Sequence, residues 1–406
     1  MSEQESTPVD LENLPDPTIT RGLQAAQLHP LARLPEEWVE VLESWGERKF
    51  HAQQVFRWMH GRGVLDPNEM TDISKSLRKR LLESGTSAPG EVVEVHRSKD
   101  GTRKLLMDFR GKTRVECVLI PMTPGNMDAD SAAGVEDEEP EKDAPRKRVT
   151  LCISTQFGCA MGCSFCASGQ SGLFRGLGAA EVVYQVIRSR DYLNADEDLR
   201  NLVFMGMGEP LHHYDETART LRLLMDPKGG GMSPRRITVS TVGLVPGIRR
   251  LGEDFDGKIG LALSLHAPDD ETRNRIMPMN KKYPIKELMR ELKNYPMPAR
   301  RRMTIEYILI GELNDSIQHA DQLAKLLEPL RVKLNLISMN PIENSDLRAP
   351  NEERVAAFRE RMARHGYSCF VRTRRGDDVS AACGQLALQV TKPERLVRRL
   401  GTRPSS

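Results

Sequence analysis

Three cysteines fall within eight residues, in the segment Cys159-Ala-Met-Gly-Cys163-Ser-Phe-Cys166. The spacing Cys-x3-Cys-x2-Cys offers three thiolates close in space. A structural zinc usually takes four ligands and closes its shell. Three thiolates on a four-iron cluster leave one iron open to a substrate or cofactor. The spacing favours the cluster. A zinc site completed by a distant ligand, such as Cys152 or a histidine, is the competing reading. The chain has 7 cysteines in all, the others being Cys117, Cys369 and Cys383. An odd count, behind an N-terminus that does not read as an export signal, argues for metal or catalytic thiols rather than a disulfide framework.

Other candidates are weaker taken singly. The glycines of GMGE, Gly206 and Gly208, permit close backbone approach, and Glu209 can accept a hydrogen bond, yet glycines after a strand often only turn the chain. Ser240, Ser264, His266 and Asn340 fall at ends of candidate strands, where they either meet a ligand or cap the strand. Cys383 sits in GDDVSAACGQL, a small, glycine-flanked stretch that reads as a mobile loop. Glu116, in RVECVLI, lies in a strand pattern, and an exposed strand carboxylate is its bland reading. Cys117 and Cys369 read as structural.

These residues need a scaffold, and the pattern supplies one. From residue 149 strands and helices alternate: VTLCIST, NLVFMGM, RRITVST, KIGLALSLH, RMTIEYILI and VKLNLISM, with helical patterns such as AAEVVYQVIRSRDYL, DETARTLRLLMD, PIKELMRELKNY and SIQHADQLAKLLEPL between them. A last helix, NEERVAAFRERMARHG, leads to YSCFVRT. Buried-type strands in repeated βα units imply a parallel sheet, with ligands at the C-terminal strand ends. We expect an α/β fold, a partial (β/α)6 barrel, with a small helical N-terminal domain and a β-hairpin extension. The expected divisions are a disordered tail (1–33), helical domain (34–90), hairpin extension with Asp100-Gly101 and Arg110-Gly111 turns (91–121), acidic disordered insertion (122–148), catalytic domain (149–391) and basic tail (392–406).

Composition bounds the class. At 406 residues, 39% hydrophobic and 29% charged, the chain reads as soluble and globular. No apolar run approaches the ~18 residues of a membrane helix. The net charge of +2 hides a split. Residues 127–143 hold Asp128, Asp130, Glu136, Asp137, Glu138, Glu139, Glu141 and Asp143 against Lys142, so the rest of the chain is basic. Runs such as Arg300-Arg301-Arg302 and Arg372-Thr373-Arg374-Arg375 fit a polyanion such as RNA, or simply a solvated surface.

Cys-x3-Cys-x2-Cys after the first strand of a six-unit βα fold resembles the radical S-adenosylmethionine (SAM) enzymes. LCISTQFGCAMGCSFC, GMGEPL, TVSTVG, LALSLHAP, LISMNP and RTRRGDDVSAACGQL, with FHAQQVFRWMH and MTDISKSLRKRL near the N-terminus, resemble the RlmN/Cfr group of RNA methyltransferases over about residues 34–391. The resemblance implies a [4Fe-4S] cluster on Cys159, Cys163 and Cys166, its open iron binding SAM. It implies SAM contacts from Gly208, Glu209, Ser240, Ser264, Leu265, His266 and Asn340. It implies a methyl-carrying Cys383, a proton acceptor Glu116, and a Cys152 that resolves the protein–RNA adduct by a transient disulfide with Cys383. Two SAM molecules are used per turnover. The implied product is adenosine methylated at C2, in 23S rRNA and in tRNA 3′ of the anticodon. The resemblance further implies a flavodoxin-type electron donor, no membrane, a monomer and a cytoplasmic location. Three rivals stay open: methylation at C8, a non-catalytic metal-stabilised RNA-binding protein, and a radical SAM enzyme with a non-RNA substrate.

Overall fold

In the computed structural model one sheet carries the molecule; the structure describes residues 25–109, 113–122, 146–342, 345–372 and 375–386. The first strands, β1 (Gly90–Arg97), β2 (Arg103–Phe109) and β3 (Thr113–Pro121), form an antiparallel meander. Strand β4 (Lys147–Cys152) pairs antiparallel with β3 and parallel with β7 (Glu197–Phe204). From there β8 (Ile237–Thr241), β9 (Gly260–Ser264), β10 (Met303–Leu309), β11 (Val332–Ser338) and β12 (Cys369–Val371) add in chain order, each parallel to the last. A separate hairpin, β5 (Gln156–Gly158) with β6 (Leu173–Gly176), brackets the three-cysteine loop.

The 10-stranded sheet has β1 and β12 at its two ends, so it is open, as a partial barrel should be. Every residue of β10 is buried, the signature of a parallel strand covered on both faces, whereas β1 mixes exposed and half-buried positions. Amphipathic helices cover the parallel part, among them Ala179–Ser189, Tyr214–Met225, Ile285–Asn294, Ile317–Leu327 and Glu352–Arg364. The sequence reading is matched in class: α/β, a parallel sheet and an N-terminal helical region.

The N-terminal helices Pro35–Ser44, Lys49–Phe56 and Lys75–Glu83 sit on the barrel rather than apart from it. One continuous hydrophobic core runs from Leu31 and Trp38 into the barrel and on to Met362. Glu37 pairs with Arg219 at 2.7 Å, and Arg188 donates to the Gly63 carbonyl at 3.3 Å. The patternless stretch expected through residue 33 ends sooner. Pro30–Ala32 is a buried 3₁₀ turn, and Arg33 lies over the Trp38 ring. Such a short turn has no period for a sequence to show. The expected acidic insertion, the Arg110-Gly111 turn and the basic tail lie wholly or mostly outside the described residues. Among the described residues no helix is long and apolar enough to cross a membrane.

Candidate active site

The three cysteines sit on the loop after β4, between the arms of the β5–β6 hairpin. Gly158 has a positive φ of 77°, and a Cβ there would overlap the Gly172 carbonyl oxygen, so the hairpin closes only on glycine. Cys159 N then donates to that oxygen at 2.8 Å. The short helix Ala167–Gln170 follows with Cys166 at its N-cap. Burial first, then mutual charge, raises the Cys159 and Cys163 thiols, and burial raises Cys166. Three adjacent buried thiolates need positive charge nearby, as bound iron provides. An all-sulfur donor set facing a cavity suits an iron–sulfur cluster better than hard cations. Among the described residues no three His, Cys, Asp or Glu side chains converge on one point as ligands of a single ion would.

The cavity holds about 850 Å³ of empty space, its open mouth included. Cys159, Cys163, Cys166, Gly208, Glu209, Ser240, Ser264, His266 and Cys383 all line it. A Cβ at Gly206 would lie 2.6 Å from the Ile153 carbonyl oxygen, and one at Gly208 2.6 Å from the Gln156 Cβ. Both glycines are thus required by close packing against the protein's own chain after β4. Burial pushes the Glu209 carboxyl up to about 7, against hydrogen bonds from Leu211 N (3.1 Å, to Oε1) and Val242 N (2.8 Å, to Oε2). With the Thr241 side chain as a third donor, one of the four lone pairs is left for an ammonium.

Ser264 closes β9, and Ser240 is the penultimate residue of β8. His266 has a positive φ of 58°, unusual for a non-glycine residue. Its Nδ1 accepts from Ile308 N at 3.0 Å, and burial lowers it to about 3. The ring is therefore neutral with its proton on Nε2, a donor for a ligand. Arg273, 1% exposed, donates to the carbonyls of Val242, Ser264 and Leu265 at 2.6, 3.1 and 3.0 Å. It knits the ends of β8 and β9 together. Leu265 is not on the cavity wall: its side chain is in the core and its N–H donates to Glu306 O.

Cys383 is held rather than loose. Asn340 Nδ2 donates to its carbonyl at 2.9 Å, and Arg372 Nη1 donates to its sulfur at 3.3 Å. Ala167 N, beside the last cluster cysteine, donates to Gly384 O at 2.8 Å. On the other side the β1–β2 turn grips the segment. Gly376 N donates to Asp100 Oδ2 at 3.0 Å, and Lys99 N to Asp378 Oδ2 at 3.3 Å. The mobile loop expected here is a tethered one, and several of its tethers, from Ala167, Lys99 and Asp100, lie more than 200 positions away in sequence.

Cys152 ends β4 opposite Val118 of β3, and does not line the cavity. Burial raises its thiol most, Cys383 next, while Arg372 acts to lower it. Both Cys152 and Cys383 are free thiols. Glu116 is no exposed strand carboxylate: it is 5% exposed and pairs with Lys104 at 2.9 Å. Cys117 is buried, its thiol pushed up to about 12 by burial. Cys369 is only half-buried, on the edge strand β12.

Two cavity residues escaped the sequence reading. Arg372 was noted only within a basic run. Glu306 lies in the middle of β10, where a charged residue in an otherwise apolar buried strand was a usable signal. It accepts from Asn335 Nδ2 at 3.0 Å on Oε1, and its Oε2 is buried without a partner among the described residues. Burial raises its carboxyl, and Arg372 is the largest influence the other way.

Two family models match the chain. One describes the ribosomal RNA large subunit methyltransferase N-terminal domain, over residues 35–86, and the other the radical SAM superfamily, over residues 153–327. The chain is 56% identical over 391 residues to the dual-specificity RNA methyltransferase RlmN of Sorangium cellulosum, covering 93% of this chain and 99% of that one. It is 42% identical to the RlmN of Marinobacter nauticus, covering 92% and 97%. A solved radical SAM methyltransferase from Sphaerobacter thermophilus superposes with a TM-score of 0.77 at 38% identity, covering 88% of this chain and 98% of that one. Identity at this level over nearly the whole length, joined to a cavity that puts Cys383 beside the three-cysteine loop, means that the chain belongs to the RlmN family of radical SAM RNA methyltransferases.

Proposed function

We propose that the protein methylates C2 of adenosine in 23S rRNA and tRNA through a methyl group carried on Cys383. The observation that carries this reading is the meeting of Cys383 with Cys159, Cys163 and Cys166 on one cavity wall. The chemistry explains why a carrier is needed. Adenine C2 is electrophilic, and so is the methyl of a sulfonium, so direct transfer fails. A thiolate is a good nucleophile toward that methyl. Cys383 attacks it, the carbon–sulfonium bond breaks, and S-adenosylhomocysteine leaves.

Cys159, Cys163 and Cys166 would hold a [4Fe-4S] cluster, which supplies the electron that cleaves a second SAM to a 5′-deoxyadenosyl radical. The chain's own residues do the rest. Gly206 and Gly208 let the methionyl part approach the backbone, and Glu209 accepts from its ammonium. Ser240, Ser264 and the Nε2–H of His266 face the same ligand. Asn340 fixes the Cys383 backbone, and Arg372 steadies its sulfur. The S-methyl carbon gives a hydrogen atom to that radical and bonds to adenine C2; Glu116 takes the C2 proton, and the odd electron passes to an acceptor such as the oxidised cluster would provide. Cys152 then attacks the Cys383 sulfur, the sulfur–carbon bond breaks, the carbon takes a proton to become the methyl group, and the disulfide left behind is reopened by a thiol reductant. The target base must be in a loop or splayed out, because an A-form duplex hides it. A flavodoxin-type donor, a monomeric state and a cytoplasmic location belong to the same reading.

The test is nucleoside mass spectrometry after anaerobic incubation of reconstituted protein, SAM and reductant with unmodified rRNA fragment and tRNA. 2-Methyladenosine in both RNAs is expected. 8-Methyladenosine, or no methyladenosine despite SAM cleavage, would overturn the assignment.

A further inference from the structure

The mechanism above leaves unused a buried cation that pairs with Glu116. Lys104 sits on β2 opposite Val118 of β3, diagonal to Glu116, and the three side chains share a face of the hairpin. Its Nζ lies 2.9 Å from Glu116 Oε1 and donates to the Ser380 carbonyl at 3.4 Å. Both side chains of the pair are about nine-tenths buried, at 10% and 7% exposure. Glu116 Oε2 has no hydrogen-bond partner among the described residues. One carboxylate oxygen is thus occupied by the lysine and the other left bare. Ser380 belongs to the segment that carries Cys383 and has a positive φ of 50°. Through one ammonium, the carboxylate is tied to the chain segment that presents the methyl carrier.

We propose that Lys104 is a positioning residue: it holds Glu116 ionised, with Oε2 aimed as the basic atom, at a fixed separation from Cys383. The proposal rests on the reading that Glu116 accepts the adenine C2 proton. In that step the C2–H bond breaks, the proton goes to Oε2, and the bonding electron pair stays with the adenine ring. Burial holds the Glu116 carboxyl above its usual range even beside Lys104, which is the largest influence that lowers it, followed by His96. His96 faces it from β1, opposite Lys104, beside Glu94 at 3.1 Å. The turn after β4 contributes Ser154, whose hydroxyl donates to the Glu116 carbonyl at 2.5 Å. Cys117 follows Glu116 on the other face of β3, its thiol kept neutral by burial. Removing the ammonium takes away the largest influence that favours the carboxylate, so the Glu116 carboxyl rises further.

The experiment compares wild-type, Lys104→Met and Lys104→Arg proteins, each reconstituted with its cluster, in single-turnover methylation from pH 6 to pH 9.5. Three readouts are taken: methyladenosine, S-methylation of Cys383 by protein mass, and 5′-deoxyadenosine. Lys104→Met should keep the last two near wild type. Its methyladenosine should fall at least about tenfold at pH 7 and recover as the pH rises, one unit of displacement being one factor of ten. Lys104→Arg should restore most of the neutral-pH rate. A Lys104→Met profile with the wild-type shape, whatever its height, overturns the proposal. So does a parallel fall of all three readouts, which would leave Lys104 only the task of holding the Ser380 segment. Wild-type protein that gives no methyladenosine at any pH would overturn the reading of function, and the proposal with it.

Discussion

Glu209 shows how much a single buried group decides. Its carboxyl is lifted to about 7 by burial, so it changes charge within the working pH range. On the proposed reading the charged form would pair with the SAM ammonium, and the neutral form would not. As pH falls through 7 the carboxylate is protonated and the pairing lost. SAM affinity measured by equilibrium dialysis on reconstituted protein should therefore drop by about tenfold from pH 8 to pH 6, and Glu209→Gln should flatten the profile. A wild-type affinity that does not change with pH would remove Glu209 from this contact. At this scale the sequence was informative where spacing carried the meaning. Cys159, Cys163 and Cys166 are close along the chain, so their grouping needs no tertiary knowledge. Arg372 and Glu306 are distant from those cysteines and from each other, and only the folded sheet brings them to the same wall. The Lys104–Glu116 pair was hidden for a different reason. Strand residues on one face look alike in sequence whether the face meets water or another segment.

Among the elements, the parallel strands were legible because each is a short apolar run bounded by turns. The β5–β6 hairpin was not, since strands of 3 and 4 residues leave no alternation to read. The β1–β2 hairpin was foreseen as an extension, but its task was not. Its turn grips the Cys383 segment through Asp100 and the backbone of Lys99. Asp100→Ala removes the acceptor for Gly376 N and should loosen residues 376–386. Hydrogen exchange should then speed up in that segment and at Thr102, whose N–H donates to Asp100 Oδ1 at 2.9 Å, and S-methylation of Cys383 should slow several-fold, while cluster content stays at the wild-type level. Unchanged exchange at 376–386 would show that the turn is not a clamp. The loss should be modest, because a single hydrogen bond contributes only about 0.5–1.5 kcal/mol and Ala167 N still holds Gly384 from the other side.

Taken whole, the molecule is an open sheet, parallel from β4 to β12, with two additions. The N-terminal helices share the barrel's core, and the antiparallel meander extends it past β4. Because β3 runs antiparallel to β4, Glu116 lies beyond the C-terminal end of β4, on the side where Cys152 ends that strand. The central claim is that Cys383 and Cys152 act in sequence on one methylated base. The most direct measurement is protein mass and gel mobility after anaerobic reaction of Cys152→Ala and Cys383→Ala with substrate RNA. Cys152→Ala should accumulate a covalent protein–RNA adduct through Cys383, and Cys383→Ala should give neither adduct nor methyladenosine. Clean product release by Cys152→Ala, or normal turnover by Cys383→Ala, would contradict the claim.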